Sequence, residues 1–216
     1  MRWMNQVILA YSRLPRQLPP RVRARWRTRL TPARAARLSA DPYAQSQSLL
    51  GVALACRLLS AVSARPVAPS ELRYTRNGKP HVPRLAPFSI AHGGEWVLCA
   101  LSTHGAVGVD IEPLVSASAL PRWLTVFDER ERAAARTVRG ALRIWAAKEA
   151  ALKAGGGALR ELPSVRVHGR RVEYAGRRWH CRALRIAPGT IARLVTAVPV
   201  TELCLRAVAA SAALAP

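Results

Sequence analysis

Lysine is almost missing from this chain. Of its 34 Lys and Arg residues, only Lys79, Lys148 and Lys153 are lysine. Acid is scarce too: 12 Asp and Glu leave a formal net charge of +22 over 216 residues. Richness in Arg, Ala and Pro with so little Lys is what GC-rich codons produce, so the arginine count by itself assigns no function. The field it creates is real and attracts phosphates and acidic proteins. The four cysteines, Cys56, Cys99, Cys181 and Cys204, have no close spacing, which excludes CxxC redox and zinc patterns. Among apolar neighbours they read as buried free thiols of a reducing compartment. Aromatics are few and not interleaved with the basic runs, and no DNA- or RNA-binding motif occurs, which weighs against the nucleic-acid partner that charge alone would favour. No apolar run reaches membrane-spanning length. The start, "MRWMNQVILAYSRLP", lacks a signal-peptide core and cleavage site. The expectation is a cytoplasmic protein without a membrane segment. At 50% hydrophobic residues the chain can bury a core as one domain or two small ones.

Local patterns give an α+β reading. Thr31-Pro32 before "ARAARLSA" is an N-cap followed by Pro at the first helical position. Residues 44–63 hold no breaker except Gly51, and Leu50, Leu54, Leu58 and Val62 fall four apart, as in a buried helix. "RYTRNGKPHV" carries an Asn-Gly turn. "PFSIAHGGEWVLCALSTHGAVGVDIEP", residues 87–113, reads as three strands separated by turns. Residues 128–154 read as helix, broken near Gly140. From Val165 on, short β-like runs alternate with Gly and Pro turns. Helix then strands, twice over, suggests two similar lobes joined near residue 106: an N-terminal lobe over 1–106 and a C-terminal lobe over 107–216.

The acids cluster. Asp110, Glu112, Asp128, Glu129, Glu131 and Glu149 make up half of the total and lie between residues 110 and 149. Asp128, Glu129 and Glu131 suit a helix N-terminus equally well. Asp110 and Glu112 stand two apart in "VGVDIEP", so a strand projects both carboxylates to one face and Val109 and Ile111 to the other. Adjacent carboxylates repel unless a cation lies between them. The pair reads either as a Mg²⁺ site or as a salt-bridged strand end. In "RIWAAKEAALKAGGG", Trp145, Glu149 and Lys153 are successive i, i+4 neighbours on a helix. They make either a solvated Glu–Lys pair or a third carboxylate and an ammonium beside a metal and phosphate. Arginine cannot readily give up a proton and lysine can, which would explain why lysine is kept here.

"VGVDIEP" followed by "RIWAAKEAALKAGG" resembles the signature of the 4′-phosphopantetheinyl transferases of the surfactin-synthetase-activating class. "NGKPHVP" and "FSIAHGGEWVLCALS" resemble that family's Gly-Lys-Pro turn and Ser-His strand pair, with Ala91 where a serine usually precedes the histidine. The segment between Asp110 and Trp145 is a few residues shorter than in the family. The resemblance implies a pseudo-dimer of two lobes with the active site between them. It implies transfer of phosphopantetheine from coenzyme A to a serine of an acidic apo carrier protein, by a monomer that binds no nucleic acid. It assigns Asp110, Glu112 and Glu149 to Mg²⁺ and makes Glu149, Lys153 and Glu131 catalytic, with Glu131 near a position that assists serine deprotonation. Lys148 and Lys153 would lie near the cofactor phosphates, Lys79 and His92 on the nucleotide and its phosphates, and Arg34 and Arg37 on the 3′-phosphate.

Overall fold

Alternation in the first strand, β1 (Gln6–Arg13), sets the layering of the molecule. Val7 and Leu9 enter one apolar cluster while Ile8 and Ala10 enter another on the opposite face, and all four are buried. The computed structural model describes residues 6–114 and 123–215. In it β1 is flanked by β5 (Trp96–Ser102), antiparallel, and β11 (Glu202–Ala207), parallel, with β4 (Phe88–Gly93) beside β5. The second sheet runs β6 (Val107–Pro113), β10 (Thr190–Thr196), β9 (Arg177–Leu184), β8 (Arg171–Tyr174), β7 (Arg166–His168). A short hairpin pairs β2 (Arg73–Tyr74) with β3 (Pro80–His81).

Each large sheet carries one long helix on its outer face. Helix α3 (Pro42–Ser63) follows α1 (Pro20–Thr28) and α2 (Pro32–Ala36) and covers the first sheet through Leu50, Leu54 and Leu58. Asp41 caps α3 by accepting from Ala44 N at 2.7 Å, and Pro42 occupies its first turn. At 22 residues α3 is long and apolar enough to cross a membrane, and most of it is buried in this fold. The expectation that no apolar run attains such length is corrected accordingly. Helix α5 (Val138–Gly155) covers the second sheet, preceded by α4 (Glu129–Ala134). The inner sheet faces meet through Val7, Leu9 and Leu98 on one side and Val109, Ile111 and Leu194 on the other. The layers therefore run helix, sheet, sheet, helix, an α+β arrangement.

The helix expected over 128–154 breaks earlier than Gly140. Thr137 caps α5 by accepting from Gly140 N at 3.0 Å, so Gly140 lies inside the first turn. Asp128 and Glu131 form a reciprocal capping box on α4. The chain crosses between sheets over 103–106. It later returns, because β11 pairs with β1 and α6 (Ala210–Ala213) packs on the first unit. Leu214 O accepts from Trp26 Nε1 at 3.1 Å and Arg25 at 2.8 Å. One segment beyond residue 196 thus belongs to the first sheet and crosses the expected division at 106/107. Cys56, Cys99 and Cys181 are buried free thiols, and Cys204 is half-exposed and free.

Candidate functional site

How closely α5 approaches β6 is decided at Gly108. A Cβ there would lie 1.9 Å from Ala150 O and 2.5 Å from Ala154 N, so any side chain would push the helix off the strand. With glycine in place, the next residues on that strand face, Asp110 and Glu112, come under the helix face that carries Trp145, Glu149 and Lys153. Asp110 Oδ1 lies 2.6 Å from Lys153 Nζ, and Glu149 Oε2 lies 3.7 Å from the same nitrogen. Trp145 Nε1 donates to Glu112 Oε1 at 3.0 Å. Val109 and Ile111 face the other way into the core, as strand alternation requires.

The electrostatics follow from three carboxylates and one ammonium in a half-buried space. Burial pushes Glu112 up to about 7, helped by the charges of Asp110 and Glu149 and opposed by Trp145 and Lys153. Burial and Asp110 likewise raise Glu149. Burial alone would lower Lys153, but Asp110, Glu149 and Glu112 overcome it and hold the ammonium above its ordinary value. Among the described residues no three acidic, His or Cys side chains converge as a ready metal cage: Lys153 stands where their oxygens would meet. The cluster nevertheless fits a cation. Asp110 Oδ2 is buried without a hydrogen-bond partner, and mutual repulsion raises both glutamates. A hard divalent ion ligated by oxygen would relieve both.

Glu149 and Lys153 open onto a cavity of about 490 Å³ between the two helix-on-sheet units. Its other wall comes from the first unit: Asn77, Lys79, Ser89 and Ile90. Two contacts bind the walls together. Asn77 Nδ2 donates to Gly156 O at 2.9 Å, and Lys79 Nζ donates to Ala154 O at 2.8 Å. Both acceptors lie at the C-terminal end of α5, where free carbonyls and the negative end of the helix dipole attract cations. Gly156 ends the helix in the left-handed conformation (φ 75°). The triple glycine also makes room: a Cβ on Gly157 would meet Tyr174 Oη at 2.0 Å. Sequence reading found the Asn-Gly turn and the glycine run separately and missed that they dock on each other. It also missed the indole bond to Glu112. A tryptophan one helical turn before a glutamate was the available signal for that bond.

The remaining expected residues divide. Burial pushes Lys79 down to about 8. His92 is exposed on β4, and its pKa is lowered by the surrounding protein and by Lys153 against the opposing charge of Asp110. Arg34 stacks 5.0 Å over the ring of Tyr74, whose strand partner is Pro80 beside Lys79. Arg34 Nε is buried without a partner among the described residues. Arg37, at the end of α2, is exposed.

Two expectations are corrected. Lys148 was expected near the cofactor phosphates, and it is fully buried, off the cavity. Its ammonium sits 2.8 Å from Glu131 and donates to Leu162 O and Val165 O. Glu131 was expected to assist deprotonation of a serine. Its carboxylate is instead 2% exposed and occupied by Lys148, Asp128 N and Val167 N. Position i+4 on a helix brings Trp145, Glu149 and Lys153 together, whereas Lys148, one residue off, points into the core.

Residues 106–191 match the model of the 4′-phosphopantetheinyl transferase superfamily. That span holds Asp110, Glu112, Glu149 and Lys153 and excludes Arg34, Arg37, Lys79 and His92. The 4′-phosphopantetheinyl transferase gsp of Aneurinibacillus migulanus is 42% identical over 66 residues, which cover 31% of this chain and 27% of that protein. The matched stretch thus spans about a quarter of that relative's length. The family-model match is consistent with the mixed α+β fold.

Proposed function

We propose that this protein is a phosphopantetheinyl transferase of the surfactin-synthetase-activating type. It moves 4′-phosphopantetheine from coenzyme A to a serine of an acidic apo carrier protein and releases adenosine 3′,5′-bisphosphate. It works as a cytoplasmic monomer and requires Mg²⁺. The observation that carries the reading is the cleft in which Asp110, Glu112 and Glu149 surround Lys153 at the mouth of a cavity closed on its far side by Lys79.

Asp110, Glu112 and Glu149 would hold the metal ion, which when bound supplies positive charge to the pyrophosphate oxygens. The serine hydroxyl gives its proton to water, its oxygen attacks the phosphorus that carries the pantetheine arm, and the bond from that phosphorus to the bridging oxygen breaks. Negative charge grows on the departing phosphate. Lys153, kept protonated by its three carboxylate neighbours, neutralises that charge and has a proton to give. Trp145 fixes the Glu112 carboxylate in orientation through its indole bond. Lys79 faces the phosphates from the opposite wall, and Arg34 extends the basic lining past Tyr74 toward the nucleotide end. Positioning and charge neutralisation supply most of such a transfer.

The test is direct. The protein is incubated with coenzyme A, Mg²⁺ and an apo carrier protein, and the carrier is weighed by mass spectrometry. A gain of one phosphopantetheine is expected; an unchanged mass with several carriers overturns the reading. The same assay at graded Mg²⁺ tests the metal, and transfer at full rate in a chelator would remove it from the scheme. For the basic lining, Arg34→Ala and Arg37→Ala should weaken coenzyme A binding more than 3′-dephospho-coenzyme A binding, by about 1.5–3 kcal/mol for a charge-assisted contact.

A further inference from the structure

Arg193 interrupts an apolar row. It lies on the face of β10 that packs under α5, between Ile191 (7% exposed) and Val195 (0%). Strand alternation calls for an apolar residue at that position. Its cross-strand partner on β6 is Asp110, and facing residues of an antiparallel pair have Cα atoms only about 4.5–5.5 Å apart. Yet no ion pair forms between them: Asp110 is taken by Lys153. Arg193 Nε instead donates to the main-chain oxygen of Arg143 at 3.4 Å. The guanidinium therefore turns away from the carboxylate cluster and lies beside a second arginine.

The cleft it faces, between α5 and the β9–β10 hairpin, has a volume of about 730 Å³ and is also lined by Arg139, Arg143 and Arg185. Among the described residues no carboxylate lies within ion-pair distance of any of the four. Residues 1–5 and 115–122 contain no Asp or Glu that could serve. Most arginines of this chain project into water, where isolation costs nothing. Arg193 is half-buried, and lost hydration, opposed by Cys181 and joined by repulsion from Arg143, lowers its pKa. We infer that this cleft is a second anion site, separate from the carboxylate cleft, built for a phosphorylated ligand of at least two negative charges such as pyrophosphate. Guanidinium forks match phosphate oxygens two at a time, and four of them exceed what one carboxylate uses. No aromatic ring lines the cleft, so it offers no platform for stacking the bases of a nucleic acid.

The experiment is titration calorimetry of the full chain with inorganic pyrophosphate, without Mg²⁺, at two salt concentrations. One saturable site is expected. Arg193→Met and Arg143→Met should each weaken it about tenfold to a hundredfold, while Arg130→Met and Arg171→Met, outside the cleft, leave it unchanged. Methionine at 193 continues the apolar row, so the fold should hold. If it does not, the exposed Arg143 and Arg185 positions carry the test. Equal weakening by variants inside and outside the cleft would reduce the effect to general charge and overturn the site. Tighter binding of a glutamate-rich peptide than of pyrophosphate would overturn the ligand class.

Discussion

Lys148 and Lys153 stand five residues apart on α5, and each meets a carboxylate, but their surroundings differ. In the Lys148–Glu131 pair the side chains are 0% and 2% exposed; in the Lys153–Asp110 pair they are 30% and 3% exposed. Five residues turn a helix by about 140°, so one lysine enters the core and the other faces the cleft. Lys148 is a closed unit. An ammonium has three donors, and Glu131, Leu162 O and Val165 O take all three. Glu131 in turn accepts from Asp128 N and Val167 N. This knot ties α5 to α4, to the turn at Leu159–Ser164 and to β7. The other pair is open. Lys153 serves two carboxylates, a third raises its pKa, and Asp110 keeps one buried oxygen without a partner. A satisfied buried pair holds a helix in place; an unsatisfied one beside a cavity can still bind something.

Breaking the closed pair should have the largest effect on folding. Lys148→Ala leaves Glu131 buried and unpaired, which costs about 3–5 kcal/mol and should lower Tm by about 6–20 °C. Below that Tm the folded fraction is expected to retain transfer activity, measured per folded molecule. A normal Tm with lost transfer would put Lys148 back among the phosphate contacts. Lys148→Met with Glu131→Gln sharpens the point. It removes both charges and keeps an acceptor for Val167 N, so it should be more stable than Lys148→Ala in the same melt.

Breaking the open pair should act mainly on turnover. Lys153→Ala is expected to cut kcat by about 10²–10³, the loss seen when one positioned charge-stabilising donor is removed. It also takes the ion-pair partner from buried Asp110, so Tm should fall without Mg²⁺ and recover when the cation is added. Full activity in the Arg variant would make Lys153 an electrostatic contact only and remove its role as a proton donor. Gly108→Ala acts on the separation of helix and strand. Its Cβ has no room against Ala150 O, so overpacking of about 1–3 kcal/mol should appear in the melt together with a higher Mg²⁺ concentration needed for transfer, because Asp110 and Glu149 are moved apart.

The smallest effect is a pH dependence. Burial holds Lys79 near 8, below its ordinary 10.5. Between those values the unfolded chain binds the proton and the folded chain does not, so the contribution of this group to stability rises with pH across that window and is least favourable below 8. Ligand binding runs the other way. Coenzyme A affinity should fall as pH passes upward through 8, because the lysine facing the phosphates loses its charge. Calorimetry from pH 7 to 9 checks this, and Lys79→Gln should give weak, flat binding. An equally steep fall in the variant would assign the titration to another group.

Much of the cleft was legible because it is made of local geometry. A strand period of two puts Asp110 and Glu112 on one face, and a helix period of four puts Trp145, Glu149 and Lys153 on another. The caps at Thr31, Asp41 and Asp128 follow from the same kind of local rule. β1 and α1 were not legible. The first is a short apolar run with nothing beside it in sequence to mark its partners, and the second is an arginine-rich segment with too few apolar residues to display a helical period. Lys148 and Glu131 were misread for a related reason. Both lie inside the motif region, and only the packing of β7 and the turn at Leu159–Ser164 shows that their partners are internal.

By itself, then, the amino-acid order determined which side chains share a face, where most helices and strands start, and that acid is concentrated around two of three lysines. Those are consequences of backbone periods and of residue chemistry, which act over a few positions. The tertiary structure alone decided which lysine is buried, that the Asn-Gly turn docks on the end of α5, that residues 202–207 return to the first sheet, and that Arg193 turns from Asp110 toward Arg143. Each depends on segments far apart in sequence. Which polar group finds a partner there is settled by how closely backbones approach, as at Gly108, and by which carboxylate has already been taken.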